Sequence, residues 1–190
     1  MKKVFVLLSL LVVTGAVQAE TLDINLSDKA LRGAFAAPLS NVFPRVGGIY
    51  ELGAIAAEKD GRNLFQGHAG LLVTGDAGAA TANINAGLGG RILLLDAEEF
   101  SGGALALGGM IEARLPAYNR IGAFIYVYGA PSASAFGDLD GYLEYALSVD
   151  YQVIKSASIY AGYRQIKIKG DTGSEATVDN GFHLGLRLNF

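Results

Sequence analysis

Residues 182–190 read FHLGLRLNF, and this stretch decides the fold. Every second position from Phe182 to Phe190 carries a large apolar side chain. The positions between them are polar or small: His183, Gly185, Arg187 and Asn189. A period of two belongs to a β-strand whose two faces meet different surroundings, whereas a helix would repeat about every 3.6 residues. The segment is therefore predicted to be a strand with one apolar face.

The same alternation recurs along the chain, most clearly in residues 143–153, 105–115 and 84–94, although Leu93 falls on the polar side of the last. Weaker examples are residues 49–57, 63–73, 120–128 and 156–164. Residues 120–128 are apolar on both faces, so their orientation stays open. After Gln165 the apolar residues Ile166 and Ile168 change parity, which a β-bulge would explain. Eight strands are predicted from residue 49 onward.

The segment 22–37 leaves the strand number undecided. Leu22, Ile24 and Leu26 share one parity, and Leu31, Gly33, Phe35 and Ala37 share the other. The segment is either a short hairpin, which gives ten strands, or a piece outside an eight-stranded wall. Bacterial single-chain membrane barrels have even strand numbers, so both hypotheses remain.

Turn-forming residues separate the predicted strands. Asp60-Gly61 is a hairpin signal. Residues 96–103, 130–140 and 170–180 are longer and polar, as extracellular loops of membrane barrels usually are. Residues 74–80, 116–119 and 153–156 predict shorter periplasmic turns.

The first 19 residues have the pattern of a cleaved signal peptide. Lys2 and Lys3 precede an apolar run at residues 4–13, and Val17-Gln18-Ala19 offers small residues at the cleavage positions. The run is too short to span a bilayer, which takes roughly 20 residues. We expect cleavage after Ala19 and a single barrel domain over residues 20–190.

Composition narrows the function classes. Removing Lys2 and Lys3 from 15 basic residues leaves 13 against 18 acidic ones, a net charge of −5, which argues against nucleic acid as a partner. Cysteine is absent, and 51% of the residues are hydrophobic. An exported, apolar chain without a spanning helix favours a closed β-barrel, the other structure that pairs all its backbone polar groups within a bilayer. The prediction is an all-β, antiparallel transmembrane barrel of 8–10 strands in the outer membrane of a Gram-negative bacterium.

The distribution of charge indicates which face meets lipid. The apolar rows carry no charge, whereas charges and glycines mix on the other rows, as a narrow lumen requires. The inward charges are predicted to be Glu112, Arg114, Glu144, Asp150, Arg164 and Arg187. Four tyrosines on apolar rows suit an interfacial girdle: Tyr50, Tyr145, Tyr151 and Tyr163. A soluble periplasmic β-sandwich is the alternative.

The segment 183–190 also resembles the β-signal by which the barrel-assembly machinery recognises its clients, with Phe190 as its terminal aromatic residue. The chain further resembles the YfaZ family of putative outer-membrane proteins. The resemblance lies in residues 22–28 (LDINLSD), 102–109 (GGALALGG), 159–164 (IYAGYR) and 181–190. It implies a small outer-membrane barrel, and it supplies no functional residues because the family's function is unassigned.

The sequence gives little support for a catalytic or metal-binding site. His68 and His183 fall on polar parities and suit a structural role in the lumen, and no Gly-x-Ser-x-Gly elbow occurs. Gly102-Gly103 and Gly108-Gly109 match no nucleotide-binding spacing and suit wall curvature instead. Five acidic residues in the predicted loops are candidates to bind a divalent cation with lipopolysaccharide, or simply to solvate the loops: Asp96, Glu98, Glu99, Asp138 and Asp140. We predict no enzyme, no cofactor and no catalytic or metal-binding residues.

The predicted function is therefore a structural or binding role in the cell envelope. Glu112, Arg114, Glu144 and Arg187 are expected to face inward and neutralise one another, which favours a filled lumen. The alternatives are a narrow, porin-like pore for small solutes and, behind it, a lipid-modifying enzyme. The expected partners are outer-membrane lipid, lipopolysaccharide and the barrel-assembly machinery.

Overall fold

The computed structural model describes residues 20–59, 62–78, 82–97, 100–171 and 173–190. The predicted signal peptide, residues 1–19, lies outside the described part. Eleven strands occur in the described residues: β1 (Thr21–Ser27), β2 (Ala30–Pro38), β3 (Ile49–Lys59), β4 (Arg62–Asp76), β5 (Asn83–Ala97), β6 (Phe100–Arg114), β7 (Ile121–Ala130), β8 (Ala135–Gly137), β9 (Leu139–Ile154), β10 (Ala157–Gly170) and β11 (Glu175–Asn189).

Ten of these strands form a closed antiparallel barrel, which confirms the predicted fold. Each pairs with its neighbours in chain order, β7 pairs with β9, and β1 pairs with β11 to close the ring. The hairpin β1–β2 lies in the wall, so the ten-strand alternative is correct. Among the described residues, no helix has both the length and the hydropathy to cross a bilayer.

The short strand β8 completes the wall where β7 stops. The pairing of β6 with β7 begins at Leu107 and Gly129, and above it Gly102 to Ala104 of β6 pair with β8 instead. Phe136 of β8 packs on the outside over Gly103, where an added Cβ would lie 2.5 Å from the ring. Beyond the end of β7, β8 therefore takes its place as the neighbour of β6, and the edge of β6 stays paired.

The lengths of the connections differ from the prediction. We call the end where β1 begins and β11 ends the termini end, and the opposite end the distal end. The predicted long loops at residues 96–103 and 170–180 are mostly strand, since β5 runs to Ala97, β6 starts at Phe100 and β11 starts at Glu175. The longest connection, residues 39–48, lies at the termini end instead. The prediction failed because backbone pairing continues through polar residues beyond the apolar part of each strand.

The outward face of the wall is apolar, as predicted. On β9, Leu147 and Val149 are each 54% exposed, and on β11 Phe182 is 82% exposed. The four predicted girdle tyrosines all lie on outward positions, and the outward charges Glu58, Asp96, Lys167 and Lys169 sit at the distal ends of their strands. The open orientation of β7 is settled as well, because Ile125 and Val127 face outward whereas Tyr126 and Tyr128 are buried in the lumen.

The predicted phase slip after Gln165 is wrong. Ile166 and Ile168 are buried on the same inward parity as Arg164. The register irregularity lies between Ile166 and Lys167, and the extra residue is Val178 on β11, the strand opposite. The lumen itself changes from polar to apolar at this height, and this change imitates a shift of phase in the sequence.

An apolar layer crosses the lumen near the distal end, and Leu93 was its one member noted in the sequence as an apolar residue on a polar row. Its members are buried, with Leu93 and Ala104 fully inaccessible, and they belong to one contiguous cluster drawn from strands around the wall. We call it the distal apolar layer: Ile55, Ala57, Leu93, Leu95, Ala104, Ala106, Ala130, Leu139, Ile166, Ile168 and Val178. Burial of its apolar surface contributes to the stability of the barrel.

Candidate functional site

The middle of the lumen holds a buried ion pair between β5 and β9. The Arg91 guanidinium donates a 2.8 Å hydrogen bond to Glu144, and the two side chains are 3% and 2% exposed. Tyr126 and Tyr142 donate to the same carboxylate at 2.8 and 2.6 Å. The guanidinium also lies 3.4 Å from the centroid of the Tyr128 ring. Further hydrogen bonds and a ring contact thus surround the pair, as a buried pair needs if it is not to destabilise the fold.

Glu51 connects this pair to the opposite wall. Its Oε1 lies 2.7 Å from Nε2 of His68, 3.4 Å from Arg91 and 3.5 Å from Arg32. His68 is thereby held inside an ionic cluster, with its side chain 3% exposed. This is the structural role that the sequence favoured for it.

A second cluster ties the terminal strands together. Asp23 on β1 accepts hydrogen bonds from Tyr160 at 2.6 Å and from Nε of Arg187 at 3.2 Å. The Arg187 guanidinium lies 5.2 Å from the Phe124 ring centroid and 5.4 Å from that of Tyr160. The cluster joins β1, β10 and β11 across the seam that closes the barrel.

A third buried pair lies on the side of β10 and β11. Nε and Nη2 of Arg164 each lie 2.7 Å from Oδ2 of Asp179, and both side chains are 1% exposed. Asn25 accepts a 2.8 Å bond from the same guanidinium, and Ser27 donates to Asp179 at 3.1 Å. His183, the other candidate histidine, is buried nearby with its ring edge-on to Tyr160 at 5.7 Å.

Between these clusters and the termini end, the lumen opens into a cavity of about 250 Å³, which we call the cup. Arg32, Glu51 and Arg91 line its floor, and Arg114, Gln152 and Arg187 lie nearer its mouth. The distal apolar layer lies beyond the floor. The lumen is thus accessible from the termini end and packed with side chains toward the distal end.

The four charges predicted to neutralise one another all face inward, but most have other partners. Arg114 lies 3.9 Å from Glu112 and forms its closer pair, at 2.7 Å, with Asp150. Glu144 pairs with Arg91, and Arg187 pairs with Asp23. Asp23 and Arg32 were missed as lumen residues, although their alternation with Leu22, Ile24 and Leu31 carried the signal.

The other candidates have structural contacts. Asp138 accepts a 2.9 Å bond from the Ser101 amide, and Asp140 lies 3.1 Å from Lys169. Asp96 is exposed on β5, while Glu98 and Glu99 lie outside the described residues. Within the described ranges, no three His, Asp or Glu side chains are grouped to hold a metal ion.

The glycine runs are part of the wall. Gly102, Gly103, Gly108 and Gly109 lie on β6. A Cβ at Gly108 would overlap the carbonyl oxygen of Val127 and come within 2.6 Å of the Tyr128 ring. Gly102 and Gly108 give room to the lumen residues Leu139 and Tyr128, as the sequence suggested, whereas Gly103 and Gly109 face outward beneath Phe136 and Leu88.

A family model described as YfaZ precursor matches residues 1–190. The chain belongs to the YfaZ family. This confirms the resemblance seen in the sequence, and it covers the whole barrel. No curated protein sequence matches the chain significantly.

Several solved barrels are similar to this YfaZ-family chain at low identity. The outer membrane channel DcaP of Acinetobacter baumannii is 8% identical with a TM-score of 0.40, over 88% of this chain and 54% of DcaP. The chain thus spans about half the length of DcaP. The KdgM porin is 9% identical with a TM-score of 0.38, over 91% of this chain and 99% of the porin. A KdgM porin in complex with disordered oligogalacturonate is 10% identical, with a TM-score of 0.39 and the same coverage. These values are too low to transfer any functional property to the YfaZ-family chain.

Proposed function

We propose that this YfaZ-family protein is an outer-membrane barrel with a closed lumen, which serves a binding or structural role in the envelope through a cup open to the periplasm. The observation that carries the proposal is the distal apolar layer, packed across the lumen beyond the ionic clusters. A water-filled pore would need a continuous, hydrated polar path. Here buried apolar side chains fill that position, and the Gln66 amide among them is itself buried and bonded to the Tyr142 hydroxyl. No catalytic role is proposed, since Glu51 binds His68 and His183 packs against Tyr160.

The outward face supports a membrane location. On β9 the uncharged outward row runs from Leu143 to Val153, ten residue steps. At roughly 3.3 Å per residue this is about 33 Å along the strand. With the tilt of about 40° common in membrane barrels, the row is about 25 Å tall, which matches their apolar band. The row would therefore contact outer-membrane lipid, with the distal end facing lipopolysaccharide.

The C-terminal strand supports the orientation and an assembly partner. Phe190 exchanges backbone hydrogen bonds of 2.8 and 3.0 Å with Glu20, and its side chain is 58% exposed on the outside. We propose that the barrel-assembly machinery binds β11 through this aromatic end, which places the termini end at the periplasm.

Replacing Phe190 with alanine is expected to lower the amount of barrel in the membrane of cells several-fold while changing refolding in detergent little. Its exposed ring contributes little packing, so its loss should act on recognition. Phe182→Ala is the matched control, because Phe182 is also exposed and outward on β11. Membrane yield and refolding would be measured for both variants. Equal losses of yield in the two would contradict a special role for Phe190.

Single-channel recording tests the closed lumen. Purified wild-type protein, shown to be inserted by flotation with vesicles, is expected to give no conductance steps in planar bilayers. Reproducible ion-selective steps would contradict the proposal and support the narrow pore. The same recordings after Leu93→Ala and Ile166→Ala, which thin the distal apolar layer, test whether that layer is the barrier.

A further inference from the structure

Arg32 is a buried cation that has no close partner in the cup among the described residues. The residue is 8% exposed and lines the cavity. Its guanidinium lies 3.7 Å from Asp23 and 3.5 Å from Glu51, both longer than the 2.7–3.2 Å typical of an N–H···O hydrogen bond. A guanidinium carries five N–H donors, so these two long contacts leave Arg32 with hydrogen-bonding capacity at the lining of the cavity.

The carboxylates near Arg32 already hold other donors. Oδ1 of Asp23 accepts from Tyr160 at 2.6 Å and from Asn25 at 3.2 Å, which fills both of its lone-pair directions. Oε1 of Glu51 lies 2.7 Å from His68. Arg91 lies 3.4 Å from the same Glu51 oxygen, so Arg32 competes with other donors at both carboxylates.

Arg187 is the second cation beside the Asp23 carboxylate. Only its Nε bonds to Asp23, at 3.2 Å, while the Phe124 and Tyr160 rings hold the plane of its guanidinium. Its side chain is 18% exposed, and it lines the cup. Two guanidinium groups thus share one carboxylate, and their remaining donors border one cavity.

We propose that the cup binds a small oxyanion, a carboxylate or a phosphate borne by a solute that fits about 250 Å³, between Arg32 and Arg187. Guanidinium groups bind such oxyanions through paired, charge-assisted hydrogen bonds. The site rests on the proposed cup, and it adds the chemical class of the ligand. Arg91 and Arg164 are not part of it. Arg91 is held by Glu144, Glu51 and the Tyr128 ring, and Arg164 is held by Asp179.

The test is a titration of the refolded protein in detergent micelles, followed by nuclear magnetic resonance of arginine side-chain N–H groups. Acetate and glycerol 3-phosphate are the probes, and acetamide and glycerol are their neutral counterparts. At least one oxyanion is expected to shift the Arg32 and Arg187 signals saturably, and the neutral molecules are not. The probe with the higher affinity identifies the ligand group: acetate indicates a carboxylate, and glycerol 3-phosphate indicates a phosphate.

Arg187→Lys is expected to weaken that binding about tenfold or more, since a charge-assisted hydrogen bond of about 1.5–3 kcal/mol is lost. Arg114→Lys is the matched control at the cup mouth, because Asp150 and the Asn119 carbonyl already bind its guanidinium. It should leave the affinity unchanged. If Arg187→Lys does not fold, the wild-type titration decides alone.

Absence of a saturable shift with both oxyanions, or equal shifts with acetamide, would overturn the site. So would unchanged affinity in a folded Arg187→Lys variant. Conductance distinguishes this failure from that of the proposed function. If the barrel conducts ions and binds the oxyanion, the binding site stands and the closed lumen is refuted. If it gives no conductance and does not bind, the closed lumen stands and the binding site is refuted.

Discussion

Replacing Arg91 with methionine is expected to destabilise the barrel by about 3–5 kcal/mol, the cost of removing one partner of a buried ion pair. Glu144 would remain 1% exposed among Tyr126 and Tyr142 with no cation at hydrogen-bond distance. Glu51 would lose one of its two arginines. The measurement is the free energy of unfolding from urea titrations of the protein folded in lipid vesicles.

Arg187→Leu is the matched comparison in the same lumen. The sequence predicted only that Arg187 faces inward and takes part in neutralising the lumen charges. In the structure Asp23 keeps Tyr160 and Asn25 when Arg187 is removed, and the arginine is partly exposed to the cup. We therefore expect a smaller loss of about 1–3 kcal/mol, the cost of a hydrogen bond to a charged group. A loss at Arg91 no larger than that at Arg187 would contradict the described burial.

An arginine in place of Leu147 is expected to cost about 2–4 kcal/mol in lipid, the penalty measured for arginine near a bilayer midplane. Leu147 is 54% exposed near the middle of the outward row of β9. Val153→Arg lies on the same row beside the termini end, where the penalty should fall to about 0–1 kcal/mol. Unfolding titrations in vesicles measure both variants. Equal costs at the two positions would argue against a membrane-centred band on β9.

Alternation predicted which side of each clearly alternating strand faces the lumen. A period of two is visible within one strand, so it does not depend on knowing which strands lie beside it. Glu112, Arg114, Glu144 and Arg187 all face inward as expected. Their partners could not be predicted in the same way. Arg91 and Glu144 are 53 residues apart in sequence, and Asp23 and Arg187 are 164 apart, so only the closure of the ring brings them together.

The two main errors have a common physical origin. The alternation in a sequence shows where a strand face changes from polar to apolar, but it does not show the cause of that change. Ile166 and Ile168 follow an inward arginine because the lumen becomes apolar at that height, not because the strand shifts phase. In the same way, residues 96–103 were assigned to a loop, although the described residues 96–97 and 100–103 pair as parts of β5 and β6. Outside an apolar band, strand pairing has no hydropathy signal.

A scan of spin labels along β9 tests most directly whether the wall faces lipid on its apolar side. The chain contains no cysteine, so single cysteines from residue 143 to 153 can be labelled without background. In refolded proteoliposomes, collisions with oxygen, which concentrates in lipid, should peak at every outward position and be highest near Leu147 and Val149. Collisions with a water-soluble nickel complex should be low there. The opposite pattern, with outward labels accessible to nickel and protected from oxygen, would identify a soluble β-protein and contradict the membrane barrel.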